Sequence, residues 1–164
     1  MLSRLRLAAA ALVVTSLVAA GGASAADHGA GARFHIGVTL HLSFTGNTCA
    51  GFPGFVVSGI GTAQGIDIGR APWVGTECVA GLDTGQTVVT APDGSQLRLS
   101  WVSAVLSYDP AGGLVHAVGN FTIDGGTGRF ADSTGGGTID ANANILTLTT
   151  LLDLDGTIQH GGGG

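Results

Sequence analysis

The side chains able to do chemistry are few and scattered. They are five histidines (His28, His35, His41, His116 and His160), one glutamate (Glu77), two cysteines (Cys49 and Cys78) and a close carboxylate pair at Asp153 and Asp155. The two aspartates alternate with Leu152 and Leu154. On a strand they share one face about 7 Å apart, a spacing that suits acid–base work or a cation. The polar side of an exposed strand shows the same pattern, and that is the plainer reading. His35 and His41 also share a face, but six residues of strand separate them by about 20 Å, too far to chelate one ion. His116 could join one of them only from another strand. Zinc needs three or four converging ligands, so no metal site and no cofactor are assigned. Gly-x-Ser-x-Gly is absent, which leaves an elbow-type hydrolase without support. A triad assembled through space would leave no trace in sequence.

The elements that position these groups begin after a leader. Arg4 and Arg6, the apolar run over residues 7–18 and the small residues Ala23-Ser24-Ala25 form the pattern of a secretory signal peptide over residues 1–25. The run is shorter than the roughly 20 residues a spanning helix needs. The expected location is therefore extracytoplasmic, secreted or periplasmic. In an oxidising compartment an even cysteine count suggests a bridge between Cys49 and Cys78. Free thiols are the alternative. Neither CxxC spacing nor a nearby histidine supports a metal site at the cysteines.

Residues 26–164 make one ordinary domain. They carry four Arg, no Lys and eleven Asp plus Glu, a net charge of about −7. That balance repels a phosphate backbone, so nucleic acid is excluded as a partner. Only 10% of the chain is charged, so the polar surface must come from Thr, Ser, Asn and Gly. The lack of Lys and the Ala/Gly/Val bias suggest a GC-rich bacterial source.

Alternation dominates the chain beyond the leader. Phe34, Ile36, Val38, Leu40, Leu42 and Phe44 fall on one parity, with His35, Gly37, Thr39, His41 and Ser43 on the other. This is a strand of roughly 12 residues, or 40 Å, long enough to favour a barrel over a small sandwich. Further β-rich runs lie at residues 54–63, 72–79, 86–90, 95–106, 114–123 and 145–154. Ala-Pro-Asp-Gly at 91–94 and Tyr-Asp-Pro-Ala-Gly-Gly at 108–113 are turn sequences in which Pro fixes φ and Gly supplies positive φ. Amphipathic helices are missing. The expected fold is all-β: a single antiparallel barrel of about eight strands over residues 26–160, with a two-sheet sandwich as the alternative. Residues 158–160 and the flexible glycines 161–164 read as a frayed tail.

The glycine-rich stretch DGGTGRFADSTGGGTI, residues 124–139, is not a phosphate loop. Such a loop needs a helix after it, and here a strand resumes at Thr138-Ile139. It reads as a tight corner, with Gly125 and Gly126 at positive φ, Gly128 in the same turn, and Phe130 plugging the end of the core.

At these residues the chain resembles the allene oxide cyclase and dirigent-like barrel superfamily, in a bacterial-type secreted form. The likeness rests on a strand, then Gly-Gly-Thr-Gly-Arg-Phe-Ala, then a small residue, Thr and Gly, then another strand, about 15 residues in all. Asp132 and Ser133 depart from the Gly-Ala expected there. The resemblance implies an eight-stranded antiparallel barrel with an apolar cavity, often trimeric. Family members in plants cyclise an unstable epoxide or steer phenoxy-radical coupling, and the cyclases use a cavity glutamate. No motif around Glu77 aligns with that glutamate. Its place beside Cys78 makes it a poor match for a cavity base.

Three functions stand as expectations, in this order: a secreted barrel holding an apolar small molecule without chemistry, an envelope structural or interaction protein with a filled core, and a cyclase- or dirigent-like enzyme. Catalysis is the lesser expectation, and no catalytic residue is assigned. A ligand would meet the apolar interior at Trp101, Phe121, Leu99 and Leu40. Homo-oligomerisation, as a trimer, is expected from the resemblance alone.

Overall fold

A computed structural model describes residues 31–50, 54–79 and 82–161. The expected signal peptide, His28 and the last three glycines lie outside the described residues. Eight strands follow in order: β1 (Ala32–Thr48), β2 (Phe55–Gly65), β3 (Gly69–Val79), β4 (Leu82–Thr90), β5 (Gln96–Asp109), β6 (Leu114–Gly126), β7 (Thr134–Asn144) and β8 (Thr149–Gln159). Among the described residues one 3-10 turn, Gly128–Phe130, interrupts the series. Each strand pairs antiparallel with the next, and β8 returns to β1, closing the barrel in sequence order. The expected barrel is thus the fold, and the sandwich is not. No helix among the described residues is long and apolar enough to cross a membrane.

Period-two alternation produces this closure because one parity of every strand can face a common interior. In β1, Phe34, Ile36, Val38 and Leu40 are all at most 4% exposed. Their outward neighbours on β1 are solvated or half-solvated. Trp73, Val89, Leu97, Leu99, Ile123 and Leu154 continue the core around the barrel.

Turns alternate between two ends. One end holds the β2–β3, β4–β5 and β6–β7 connections together with the start of β1 and the finish of β8. It is shut by the glycine-rich corner. Phe130 is fully buried there, and Arg129 lies over its ring at 4.8 Å. The Arg129 guanidinium also pairs with Asp93 at 3.0 Å and donates to the Asp67 carbonyl, so one side chain joins three turns. Thr127 Oγ1 accepts from the Gln96 N–H at 3.1 Å. Gly125 (φ 77°) and Gly128 (φ 58°) adopt the left-handed conformation. Gly126 does not, contrary to expectation: it sits in the β5–β6 ladder, where a Cβ would run into the Gln96 carbonyl. Glycine is required there by close approach rather than by φ.

Two further expectations are corrected. Residues 158–160 are not frayed: Ile158 is 1% exposed, and His160 stacks on Phe130 at 5.9 Å with Ser133 Oγ 3.3 Å from its Nδ1. Residues 145–148 are not strand but the β7–β8 turn. Asn144 Oδ1 accepts from the Leu146 and Thr147 N–H groups, an Asx-type turn that competes with the ladder. Leu148 there adopts φ 55°.

Cys49 and Cys78 form the expected disulfide, with Cα atoms 5.6 Å apart. It ties the β1–β2 connection to β3 at the end opposite Phe130. In the chain-entropy model a loop of 29 residues gives on the order of 3–4 kcal/mol.

Candidate functional site

That opposite end is hollow. An interior cavity of about 290 Å³ lies in this half of the barrel. Its cause is side-chain volume. The inward positions in this half carry Gly59 on β2, Gly75 on β3, Ala117 on β6, and Ala141 and Ala143 on β7. Eight strands leave room that large side chains would fill, and small ones leave space for a ligand. Leu40, Ile139 and Leu152 form the deeper apolar wall, while Phe44, Val105, Ile145 and Leu148 line the mouth. The partial exposure of Phe44 (59%) and Val105 (48%) reflects that opening.

The polar groups gather on one side, across β3, β4 and β5. Along β3, Trp73, Gly75 and Glu77 share the inward parity, so Glu77 faces the cavity. Asp83 on β4 is only 8% exposed, and directly across the ladder stands Ser103, at 4%. The Trp101 indole N–H donates to Glu77 Oε1 at 3.4 Å. Trp101 can lie there because β4 offers Gly85 opposite it: a Cβ at Gly85 would collide with the indole ring. Trp73 packs on Trp101 with ring centroids 6.1 Å apart.

This setting changes the acid. Burial, reinforced by the negative charge of Asp83 and opposed by the indole hydrogen bond, raises the Glu77 carboxyl to about 7. A low-dielectric wall disfavours the charged form, and a like charge nearby adds to the effect. Across the cavity, Thr150 on β8 is 5% exposed. Its Oγ1 makes no hydrogen bond with the protein, although buried hydroxyls are normally paired.

The four residues expected to meet a ligand divide between two places. Trp101 and Leu40 line the cavity. Leu99 (1% exposed) and Phe121 (3%) belong to the packed core below it, where Phe121 contacts Phe34 at 5.5 Å. Gly125, Gly126, Gly128 and Phe130 stand at the other end. Sequence reasoning sets Glu77 aside because of its neighbour Cys78. The two residues alternate, however, and strand parity sends Glu77 inward. Sequence reasoning also misses Asp83 and Thr150, though each sits on the inward parity of its own strand.

The remaining candidates sit outside the barrel. His35 Nδ1 lies 3.4 Å from Asp153 Oδ1 and 3.3 Å from Asp155 Oδ2, because His35 and Asp155 are ladder partners. These three ligand atoms converge closely enough to touch one ion. All three side chains are about half exposed, and Arg33 already pairs with Asp155 at 3.5 Å. The trio is an open ion-pair cluster rather than an enclosed shell. His116 joins neither His35 nor His41. It contacts Asp140 at 2.9 Å.

The arrangement offers a mostly apolar chamber with two acids, an indole donor and an unpaired hydroxyl on Thr150. Compared with family models, curated proteins and solved structures, the chain matches none.

Proposed function

We propose that the protein works outside the cytoplasm as a carrier of an apolar small molecule held in the open half of the barrel. The observation that carries this reading is the cavity itself, about 290 Å³ lined mainly by Leu, Ile, Val and Ala. An apolar cavity of about 150 Å³ accepts benzene. Twice that volume suits a two-ring compound or a chain of about eight to ten carbons. The disulfide agrees with an oxidising compartment. The resemblance to allene oxide cyclases and dirigent-like proteins points the same way, since those barrels enclose their substrates, and it supplies the expectation of a trimer. A hollow interior counts against a structural protein with a filled core.

Native and denaturing mass spectrometry of the purified protein tests the reading. The expected result is a mass excess in the native spectrum that vanishes on denaturation, or quenching of tryptophan fluorescence by 1-octanol. A clean native mass with no response to 1-octanol overturns it.

A second reading, an enzyme that shapes a reactive intermediate, is favoured by one observation: Glu77 is held near neutrality, where an acid–base catalyst is most effective. If that reading holds, Glu77→Gln abolishes turnover while 1-octanol still binds.

A further inference from the structure

We propose that the cavity selects apolar molecules bearing a neutral carbonyl or ether oxygen, and that the Thr150 hydroxyl is the group that holds this oxygen. The inference rests on the small-molecule reading above and names the class of ligand.

Thr150 interrupts an apolar pattern. Alternate positions along this stretch are Leu148, Thr150, Leu152 and Leu154, and the first three line the cavity. Across the two ladders Thr150 pairs with Leu40 on β1 and Ala143 on β7. Both of these line the cavity as well. No side chain beside Thr150 on its own strand's inward face, or directly across from it, can answer a hydroxyl. Valine has nearly the same shape and suits a strand equally well. What threonine adds at this position is one polar group.

That group is costly where it stands. Thr150 is 5% exposed, and its Oγ1 is covered without a hydrogen bond to the protein. A buried hydroxyl is normally paired, and an unanswered one forfeits the bonds that water would give it. A ligand oxygen in the chamber supplies the missing acceptor. Side chains change rotamer in whole staggered steps. A step that turns this hydroxyl toward the chamber gives up no hydrogen bond, because none is made.

The rest of the wall decides what kind of oxygen enters. Leu40, Ile139, Ala141 and Leu152 offer hydrocarbon contact to the body of the ligand. Among the described residues no Lys, Arg or His lines the cavity, so a carboxylate would enter with no cation to meet it. Burial holds the Glu77 carboxyl up at about 7, a sign that the same wall disfavours negative charge. An uncharged oxygen escapes that penalty. A pure hydrocarbon escapes it too, but leaves the hydroxyl of Thr150 unanswered.

The test uses acetophenone and ethylbenzene, a nearly isosteric pair that differs by a carbonyl against a methylene. In the purified protein the carbonyl stretch of bound acetophenone is expected at lower frequency than in an alkane solvent, the mark of a hydrogen bond. Thr150→Val should return it to the alkane position. Titrations followed by tryptophan fluorescence should show Thr150→Val weakening acetophenone about fivefold, with ethylbenzene affinity unchanged within about twofold. The same variant should melt a few degrees higher, since it removes an unanswered buried hydroxyl.

Four results overturn the inference and leave the carrier reading standing. They are a wild-type stretch at the alkane position, which needs no variant to fold; a lowered stretch that Thr150→Val does not move; equal loss of both probes in that variant; and a variant that melts lower, which would give the hydroxyl a structural duty. Binding of neither probe, with no response to 1-octanol, overturns both readings.

Discussion

At the closed end of the barrel the inward positions carry Phe34, Trp73, Leu97, Phe130 and Ile158, each at most 1% exposed. At the open end the same parity carries Gly59, Gly75, Ala117, Ala141 and Ala143. The strands are continuous between the two, and the hydrogen-bonded ladder runs through both. Side-chain volume alone separates a packed core from a chamber. Polar groups follow the same division. Beneath the closed end Arg129, Asp93, Thr127 and Ser95 are paired with one another or with turn backbone at the surface. In the open end Glu77 and Asp83 stand in a mostly apolar wall, and the Trp101 indole donates to the first of them.

If the closed end carries the stability, Phe130→Ala is the most damaging single change. It should lose about 3–5 kcal/mol, read by urea unfolding. Phe44→Ala at the mouth should lose less than about 1 kcal/mol, since that ring is already largely solvated. Similar losses at both ends would break the comparison.

Next in size is Glu77. Its folded carboxyl titrates above the ordinary value of 4.5, at about 7. The folded state therefore prefers the protonated form. Stability is fullest below the unfolded value and is lost as pH rises through the folded one. Removing the charge with Glu77→Gln should raise stability at pH 8 by as much as about 3 kcal/mol and change it little at pH 4. Thermal melts at the two pH values measure the difference. An equal shift at both would mean that Glu77 is not desolvated.

The same enlargement at the two ends gives a smaller contrast. Ala63→Leu, at a fully buried site, should cost about 1–3 kcal/mol by overpacking. Ala141→Leu extends into the cavity, so it should leave the melting temperature nearly unchanged and abolish 1-octanol binding. A small effect is also expected from Arg129→Ala. Its partners are exposed or half-exposed, so its loss should cost no more than about 1 kcal/mol, and that loss should shrink in high salt.

Much of this architecture is legible in the chain. The parity of residues 34–44 defines β1 and its inward face, and the glycine-rich corner defines the closed end with Phe130 at its centre. Sequence reasoning fails where it reads residues by their neighbours instead of by their parity. Glu77 is discounted for standing beside Cys78, although the pattern Trp73, Gly75, Glu77 already turns it inward. The run Ile145 to Leu148 looks like strand because it alternates, but Asn144 captures the following N–H groups and bends the chain. The hollow is the least visible feature. It depends on small residues from β2, β3, β6 and β7 meeting at one height, and height is set by register between strands, not by any one strand's sequence.

Ala32 pairs with Ile158 across the β1–β8 seam, so the described chain enters and leaves the barrel at its closed end. Any tether, partner domain or surface joined through either end would grip the base of the barrel. The mouth would then face away from the attachment, open to solvent.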